Sequence, residues 1–174
     1  NNAYCQDNET SWVDWSAIDG EGKELLAFTR RLISLKKNNP LLNLDRHIHA
    51  KQKPEDAEML WYSPSGKVMQ SETWAEHSLK TLGCMISVPR SDTDCRERLL
   101  TLFNADREGV TFTLPALGRG LWTLLLDTGT AEGIPVKETF EPGANIHMAP
   151  CTTLILQADI RPVEISNQYT GQLF

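Results

Sequence analysis

Apolar residues recur at helical spacing over one early segment of the chain. The positions are Leu25, Phe28, Leu32, Ile33 and Leu35. Basic residues occupy the opposite side, and an Asn-Pro pair after the last apolar position is a helix stop signal. The pattern predicts an amphipathic helix over residues 25–37, and its apolar side needs a partner surface.

Short segments rich in β-branched and aromatic residues follow from residue 58 onward, separated by Gly, Pro, Asn and Asp. They are EMLWY and KVM around a turn at 64–66, then LGCMISV, RERLLTLFN, VTFTLP, GLWTLLLD, a weaker strand near 136–140, NIHMA and CTTLILQ. A single helical turn at 71–74, with Ser71 as its N-cap, interrupts them. Because nothing sets up strand–helix alternation, the pattern predicts a mainly β fold, an antiparallel β-sandwich, over 45–158 with a tail at 159–174.

Composition excludes several classes of partner. The 174 residues carry 17 Lys and Arg against 23 Asp and Glu, a net charge of −6, and no basic run could follow a phosphate backbone. The apolar runs are too short for a membrane span, and the start lacks the pattern of a secretory signal. We therefore expect no nucleic-acid partner, no membrane contact and a cytoplasmic location.

The cysteines and histidines form no recognisable metal motif. The four cysteines are scattered without a C-x-x-C pair, so reduced thiols are expected, with a Cys84–Cys95 bridge across a hairpin as the alternative. His47 and His49 form an H-x-H pair on one face of an extended segment. Two ligands without a third favour solvated histidines over a metal site, and no cofactor is predicted.

The first fifteen residues, NNAYCQDNETSWVDW, combine amides, acids and aromatics without apolar periodicity or an initiating Met. Two interpretations are open: a polar loop anchored by Trp12 and Trp15 in a core, or a surface that offers aromatic faces and hydrogen bonds to a sugar. The order of residues resembles the loop after the last barrel strand in bacterial glycogen debranching enzymes of the isoamylase type, within the α-amylase superfamily of glycoside hydrolases. In that family N-N-N-A-Y-C-Q-D-N is followed by W-x-D-W.

The resemblance implies that the chain is a C-terminal fragment of such an enzyme. Residues 1–44 would be the last loop and final helix of a (β/α)₈ barrel, which needs about 250 residues and so lies mostly outside the chain. The implied partners are the missing barrel and an α-glucan, either glycogen or a limit dextrin. The implied activity is hydrolysis of α-1,6 branch linkages, with an α-1,4 or trehalose-related activity of the superfamily as the alternative.

The resemblance also places the paired catalytic carboxylates upstream, so no catalytic residue is predicted here. Asp7 and Asp14 are expected to cap turns or bond backbone amides. The family's loop presents an Asp and, four residues later, an Arg to the glucan. These positions fall on Asn2 and Gln6, whose amides keep hydrogen bonding but lack charge. With Tyr4 as a stacking surface, Asn2, Tyr4 and Gln6 are the predicted substrate-binding residues.

The β-domain has two candidate roles. Exposed aromatics on one sheet face would make it a carbohydrate-binding module, with Trp61, Tyr62, Trp74 and Trp122 as the candidates. Trp61 and Tyr62 are adjacent in a strand and must face opposite sides, and core positions are expected for Trp61 and Trp122. The favoured role is therefore a mainly structural domain that supports the helix and the barrel's flank.

In the absence of a barrel, the apolar side of the helix over 25–37 has three possible fates. It packs on the β-domain, packs on another copy of the chain, or remains exposed. Large exposed apolar patches promote association, so we expect self-association through this helix, which the changes Leu32→Glu and Leu35→Glu would abolish.

Overall fold

Two antiparallel sheets form the β-rich part of the molecule. The computed structural model describes residues 4–20, 22–44, 48, 57–90 and 95–160. Its strands are β1 Glu58–Tyr62, β2 Thr81–Pro89, β3 Arg96–Asn104, β4 Val110–Thr113, β5 Trp122–Asp127, β6 Thr139–Phe140, β7 Asn145–Met148 and β8 Thr152–Ile160. One sheet has the order β1-β2-β3-β8-β5-β6, and β4 pairs with β7 in the other. Every strand pair is antiparallel, which confirms the predicted fold class.

The hydrophobic core lies between the two sheets. Alternate residues of the larger sheet point inward and meet the inward side chains of β4 and β7, as the two-residue period of a strand requires. Its buried members include Met85, Leu100, Leu102, Phe112, Leu114, Trp122, Ile146, Met148, Leu154 and Leu156. Trp122 donates its indole N–H to the carbonyl of Pro115 over 3.2 Å. The predicted core position of Trp122 is confirmed.

Strand β1 places two neighbouring aromatics on opposite faces of the six-stranded sheet. Tyr62 is buried among the core residues, whereas Trp61 is only half-buried on the outer face. The register sets Tyr62 opposite Gly83 and Trp61 opposite Cys84. The prediction that Trp61 lies in the core is therefore wrong, because the strand's alternation gives that position to Tyr62 instead.

The register of the β2–β3 hairpin also decides the cysteine pairing. Cys84 lies opposite Thr101 in the middle of the hairpin. Cys95 directly precedes β3, and its carbonyl accepts the amide of Arg90 over 3.0 Å. The alternative Cys84–Cys95 bridge is wrong, because the two residues are not opposite each other and both thiols are free. Burial raises the pKa of the Cys84 thiol.

The predicted second strand after β1 does not form. Residues 67–69 make a single isolated bridge, between Val68 and Tyr62, and the amide of Met69 donates to the carbonyl of Trp61 over 2.8 Å. The segment therefore folds back along β1 for one pair of residues and then turns away.

The short helix predicted next to it does form, as α2 over Ser71–Trp74. Its N-cap is Gln70, which makes no side-chain cap hydrogen bond. The prediction of Ser71 as the cap is wrong, because the first helical hydrogen bond runs from the amide of Trp74 to the carbonyl of Gln70, which places Ser71 inside the helix.

The predicted amphipathic helix is confirmed as α1, which spans Gly22–Asn38 and ends with basic residues in its last turn. A 3₁₀ helix at Trp15–Asp19 precedes it, and a second one at Pro40–Leu42 follows it. The side chain of Asn39 caps the second by accepting the amide of Leu41 over 3.0 Å. The Asn-Pro stop signal therefore starts a new, tighter turn.

Parts of three predicted features lie outside the described residues. These are most of the charged loop before β1, both His47 and His49, and the predicted tail from residue 161 onward.

Candidate functional site

A tight turn organises the N-terminal loop. The carbonyl of Asn8 accepts the amides of Ser11 and Trp12 over 2.9 and 3.1 Å. The Asn8 side chain accepts the amide of Thr10 over 3.0 Å and donates to the side-chain oxygen of Gln6 over 3.1 Å. Asparagine is suited to this place because its short side chain bonds the backbone two residues on. The orientation of Gln6 is therefore coupled to the turn.

Asp7 and Asp14 hold the loop together. Asp7 accepts the indole N–H of Trp12 over 2.7 Å. Asp14 caps the 3₁₀ helix at Trp15–Asp19 by accepting the hydroxyl and the amide of Ser16 over 2.6 and 2.9 Å. These bonds from Ser16 lower the pKa of Asp14. The predicted capping role is confirmed for Asp14, whereas the partner of Asp7 is a side chain and not a backbone amide.

The loop presents its aromatic side chains to solvent. Tyr4, Trp12 and Trp15 expose 77%, 64% and 70% of their surface. The interpretation in which Trp12 and Trp15 anchor the loop in a core is therefore wrong within the described part of the chain. Of the predicted substrate-binding residues, Tyr4 and Gln6 lie in this exposed loop, and Asn2 lies outside the described residues. Three exposed aromatic side chains within one loop favour a surface that binds another molecule or domain.

Helix α1 joins this loop to the β-domain. The ring of Phe28 lies against Gly133, which has a φ of +71°: a Cβ built there would lie 3.0 Å from Phe28 and 2.6 Å from Leu126. Both the backbone conformation and the close approach require glycine at this point. Gly133, at the end of a short 3₁₀ helix at Ala131–Gly133 between β5 and β6, is therefore a point at which the helix packs on the β-domain.

Only part of the apolar side of α1 is covered. Phe28, Leu32 and Leu35 are half-buried, whereas Leu25 and Ile33 remain 67% and 50% exposed. Two of the three expected fates are thus combined in one helix, which packs on the β-domain with one edge and exposes the other.

A bulge in β5 provides a polar contact for the helix. The register between β5 and β8 shifts between Leu124 and Leu126. The carbonyl of Leu125, at the bulge, accepts a hydrogen bond from the guanidinium of Arg31 over 2.9 Å. Because a bulged residue is left out of the regular ladder, its backbone is available to a group outside the sheet.

The end of α1 is bonded to β8. Asn39, which is buried, donates from its side-chain amide to the side-chain oxygen of Gln157 over 2.8 Å. Asn43 donates in turn to the carbonyls of Asn39, over 3.0 Å, and Lys36. Buried amides need such partners, so these contacts define where the helix stops.

A groove of about 720 Å³ separates α1 from β5 beside these contacts. Its lining includes Arg30, Ser34, Leu35, Leu125, Ile134 and Glu138. The lining mixes both charge signs with apolar side chains, so the groove adds no single recognisable chemistry to the site.

The described residues contain neither a metal-ligand cluster nor a membrane-spanning helix. Within them, no three His, Cys, Asp or Glu side chains converge as the ligands of a metal ion would. Among the helices of that same part of the chain, none has the length and apolar content needed to cross a membrane.

The β-domain matches a known protein family. The family model described as "Isoamylase, C-terminal" matches residues 58–155, from the start of β1 into β8 and over more than half of the chain. The chain belongs to the isoamylase C-terminal family. The matched region covers the β-sandwich, whereas the exposed loop and α1 lie before it in the chain.

Curated relatives extend the similarity. A "Glycogen operon protein GlgX homolog" of Mycobacterium bovis is 33% identical over 144 residues, which cover 76% of this chain and 20% of the relative. A "Glycogen debranching enzyme" of Serratia proteamaculans is 32% identical over 125 residues, 72% of this chain and 16% of the relative. One of the same name from Cronobacter sakazakii is 42% identical over 74 residues, 42% of this chain and 10% of the relative. The chain spans a fifth or less of the length of these three relatives.

Sequence reasoning missed the residues that hold α1 on the isoamylase C-terminal domain. The sequence pattern gives Arg31 no role and marks Asn39 only as a helix stop signal. Gln157 stood at the end of the apolar run CTTLILQ, and its polar side chain in that run was the one available signal of a contact. The bulge that makes Leu125 available has no mark in the sequence.

Proposed function

We propose that this chain is the C-terminal part of a glycogen debranching enzyme that hydrolyses α-1,6 branch linkages in glycogen-like glucans. The observation that carries the proposal is an isoamylase C-terminal domain preceded by an exposed aromatic loop whose sequence resembles a substrate-facing loop of that enzyme class. The printed names of the relatives, which include glycogen debranching enzymes, support it.

In this proposal the chain divides into three parts. Residues 1–44 complete a catalytic barrel as its last loop and final helix, 45–158 form the β-domain, and 159–174 form a tail. The exposed side of α1, with Leu25 and Ile33, would face the barrel. The opposite edge, through Phe28, meets the β-domain.

The proposed substrate contacts are Asn2, Tyr4 and Gln6. Tyr4 offers a phenol ring for stacking on a glucose unit, and the amides of Asn2 and Gln6 offer neutral hydrogen bonds. Tyr4 and Gln6 are exposed in the same loop, and the side-chain amide of Asn8 orients Gln6, which supports a binding role. The nucleophile and the general acid are proposed to belong to the barrel.

The β-domain is proposed to act mainly as a support. Its contacts to α1 from β5 and β8 orient the helix, and the helix orients the loop. We further propose a cytoplasmic location for the enzyme, with no nucleic-acid or membrane partner.

The activity is tested with the full-length protein that contains this chain. Reducing ends are measured after incubation with a branched glucan, a linear α-1,4 glucan and no glucan. Release from the branched glucan alone is expected. Release from the linear glucan would favour an α-1,4 activity and overturn the proposed linkage. Incubation of the present chain under the same conditions measures any activity of its own.

The substrate contacts are tested in the same enzyme. Tyr4→Ala and Gln6→Ala are each expected to raise KM for the branched glucan about fivefold, the equivalent of one lost hydrogen bond or ring contact. Glu9→Ala, an exposed change in the same loop, is the matched control and should leave KM unchanged. Equal effects of all three changes would assign Tyr4 and Gln6 to loop structure alone.

A further inference from the structure

An aromatic pair lies on the outer face of the six-stranded sheet, away from the N-terminal loop in sequence. Trp61 of β1 and Trp74 of α2 meet edge to face, with ring centroids 5.7 Å apart and an interplanar angle of 76°. Trp74 remains 51% exposed, and Trp61 is half-buried beneath it. The edge of one ring against the other restricts both indoles, so Trp74 offers a preorganised flat surface.

Acidic residues lie close to Trp74 in the sequence. Glu72 and Glu76 flank Trp74 and are exposed, and Glu76 accepts the hydroxyl of Ser78 over 2.9 Å. A flat apolar face beside hydrogen-bonding side chains complements a sugar ring, which has an apolar C–H face and a rim of hydroxyls. Acidic neighbours on a chain of net charge −6 repel an anionic ligand, whereas a neutral sugar experiences no such repulsion.

We propose that Trp74, supported by Trp61, is an accessory binding site for a neutral α-glucan chain, distinct from the loop that carries Tyr4 and Gln6. The proposal rests on the proposed function, because a branched polymeric substrate supplies many chain segments near one enzyme. Such a site raises the local concentration of substrate without taking part in bond cleavage.

The size of the exposed surface argues against a second copy of the chain as the occupant. The exposed half of one indole amounts to about 100 Å². A stable protein interface needs about 800 Å² on each partner. The surface of the pair suits one or two sugar rings.

The first test uses the chain in native gels with and without glycogen. The unmodified chain is expected to be retarded by glycogen, and Trp74→Ala to bind about three- to tenfold more weakly. Trp74→Tyr keeps an aromatic ring and should retain most of the retardation. Val136→Ala, which shortens an exposed apolar side chain outside both proposed sites, is the control and should bind like the unmodified chain.

A second measurement needs no variant. Oxidative labelling of tryptophans, read by peptide mass spectrometry, should show protection of Trp74 by maltoheptaose while Trp12 and Trp15 stay reactive. Unprotected Trp74, protection of Trp12 in its place, or equal retardation of the unmodified chain and Trp74→Ala would each overturn the proposal.

The full-length enzyme separates this inference from the proposed function. Trp74→Ala is expected to raise KM for glycogen about three- to tenfold and to leave kcat and the rate on a short branched oligosaccharide unchanged. An unmodified enzyme that hydrolyses neither substrate would refute the proposed function. An active enzyme whose KM for glycogen does not respond to Trp74→Ala would refute the accessory site alone.

Discussion

The side chains of Asn39 and Gln157, 118 positions apart along the chain, are joined by a hydrogen bond of 2.8 Å. Asn39 follows α1 directly, and Gln157 lies in β8, in the middle of the six-stranded sheet. The bond therefore ties the end of the helix to the sheet, while Arg31 and Phe28 tie its body to β5 and to Gly133. Three separate contacts of different chemistry orient one helix.

The Asn39–Gln157 bond should appear as a coupling energy. We expect Asn39→Ala and Gln157→Ala each to lower the free energy of unfolding by about 1–2 kcal/mol. In the double variant the two losses should fall short of additivity by about 1 kcal/mol. Asn38→Ala is the matched control because the exposed side chain of Asn38 bonds Ser34, within the same helix. Additivity of Asn39→Ala with Gln157→Ala in urea unfolding would contradict the contact.

Gly133 should matter for the packing of α1 on the β-domain, in addition to adopting a backbone conformation that favours glycine. Gly133 and Gly143 have nearly equal positive φ values, +71° and +78°, but a Cβ on Gly143 would meet only Ala116, at 3.6 Å. Alanine at either position should cost about 1–2 kcal/mol of backbone strain. Gly133→Ala should cost about 1–3 kcal/mol more, because its Cβ overlaps Leu126 and Phe28.

Amide hydrogen exchange separates the two effects. Faster exchange in α1 is expected for Gly133→Ala and not for Gly143→Ala. If the two variants have the same stability and the same exchange in α1, the helix does not depend on the close packing of Phe28 against Gly133.

The hydroxyl of Tyr62 should make the protein sensitive to alkaline pH. It is buried without a hydrogen-bond partner in the described part of the chain. Burial, with a smaller effect from Glu58 and an opposing one from Arg98, raises the pKa of Tyr62 from 10.0 to about 12. The folded state thus favours the neutral phenol. Its contribution to the free energy of unfolding is fully present below about pH 10. As the pH rises toward 12, this contribution of about 2–3 kcal/mol is lost.

Tyr62→Phe isolates this contribution. At neutral pH it should raise the free energy of unfolding by about 1 kcal/mol, because an unsatisfied hydroxyl leaves the core. The difference between Tyr62→Phe and the unmodified protein should widen between about pH 10 and 12. A pH-independent difference in chemical unfolding would show that Tyr62 does not titrate with a raised pKa.

Self-association should depend on the exposed edge of α1. Because Leu32 and Leu35 are half-buried, charges placed there would disturb the packing of the helix itself. Leu25→Glu with Ile33→Glu should give monomers where the unmodified chain associates, as measured by sedimentation velocity over a range of concentrations. Lys36→Gln with Lys37→Gln changes the net charge by the same amount and should not reduce association. An unmodified chain that sediments as a monomer at high concentration would refute the expectation.

Local patterns were sufficient for most of the elements and for the fold class. The spacing of Phe28, Leu32 and Leu35 predicted α1, and alternating apolar segments predicted the strands and the antiparallel sandwich. Period and turn chemistry are properties of neighbouring residues, so a single sequence contains them. The order of residues in the first loop likewise carried the resemblance that the family match over 58–155 supports.

Tertiary structure decided which side of each element is covered and by what. Trp61 and Tyr62 are neighbouring aromatic residues, and the register of β1 on β2 makes Tyr62 the core residue. Trp12 and Trp15 are exposed because none of the described elements packs over them, which their own sequence does not record. The bonds from Arg31 to Leu125 and from Asn39 to Gln157 join segments far apart in sequence, and one depends on a bulge. A sequence determines local periodicity by itself, whereas long-range pairing depends on the register and geometry that the whole fold imposes.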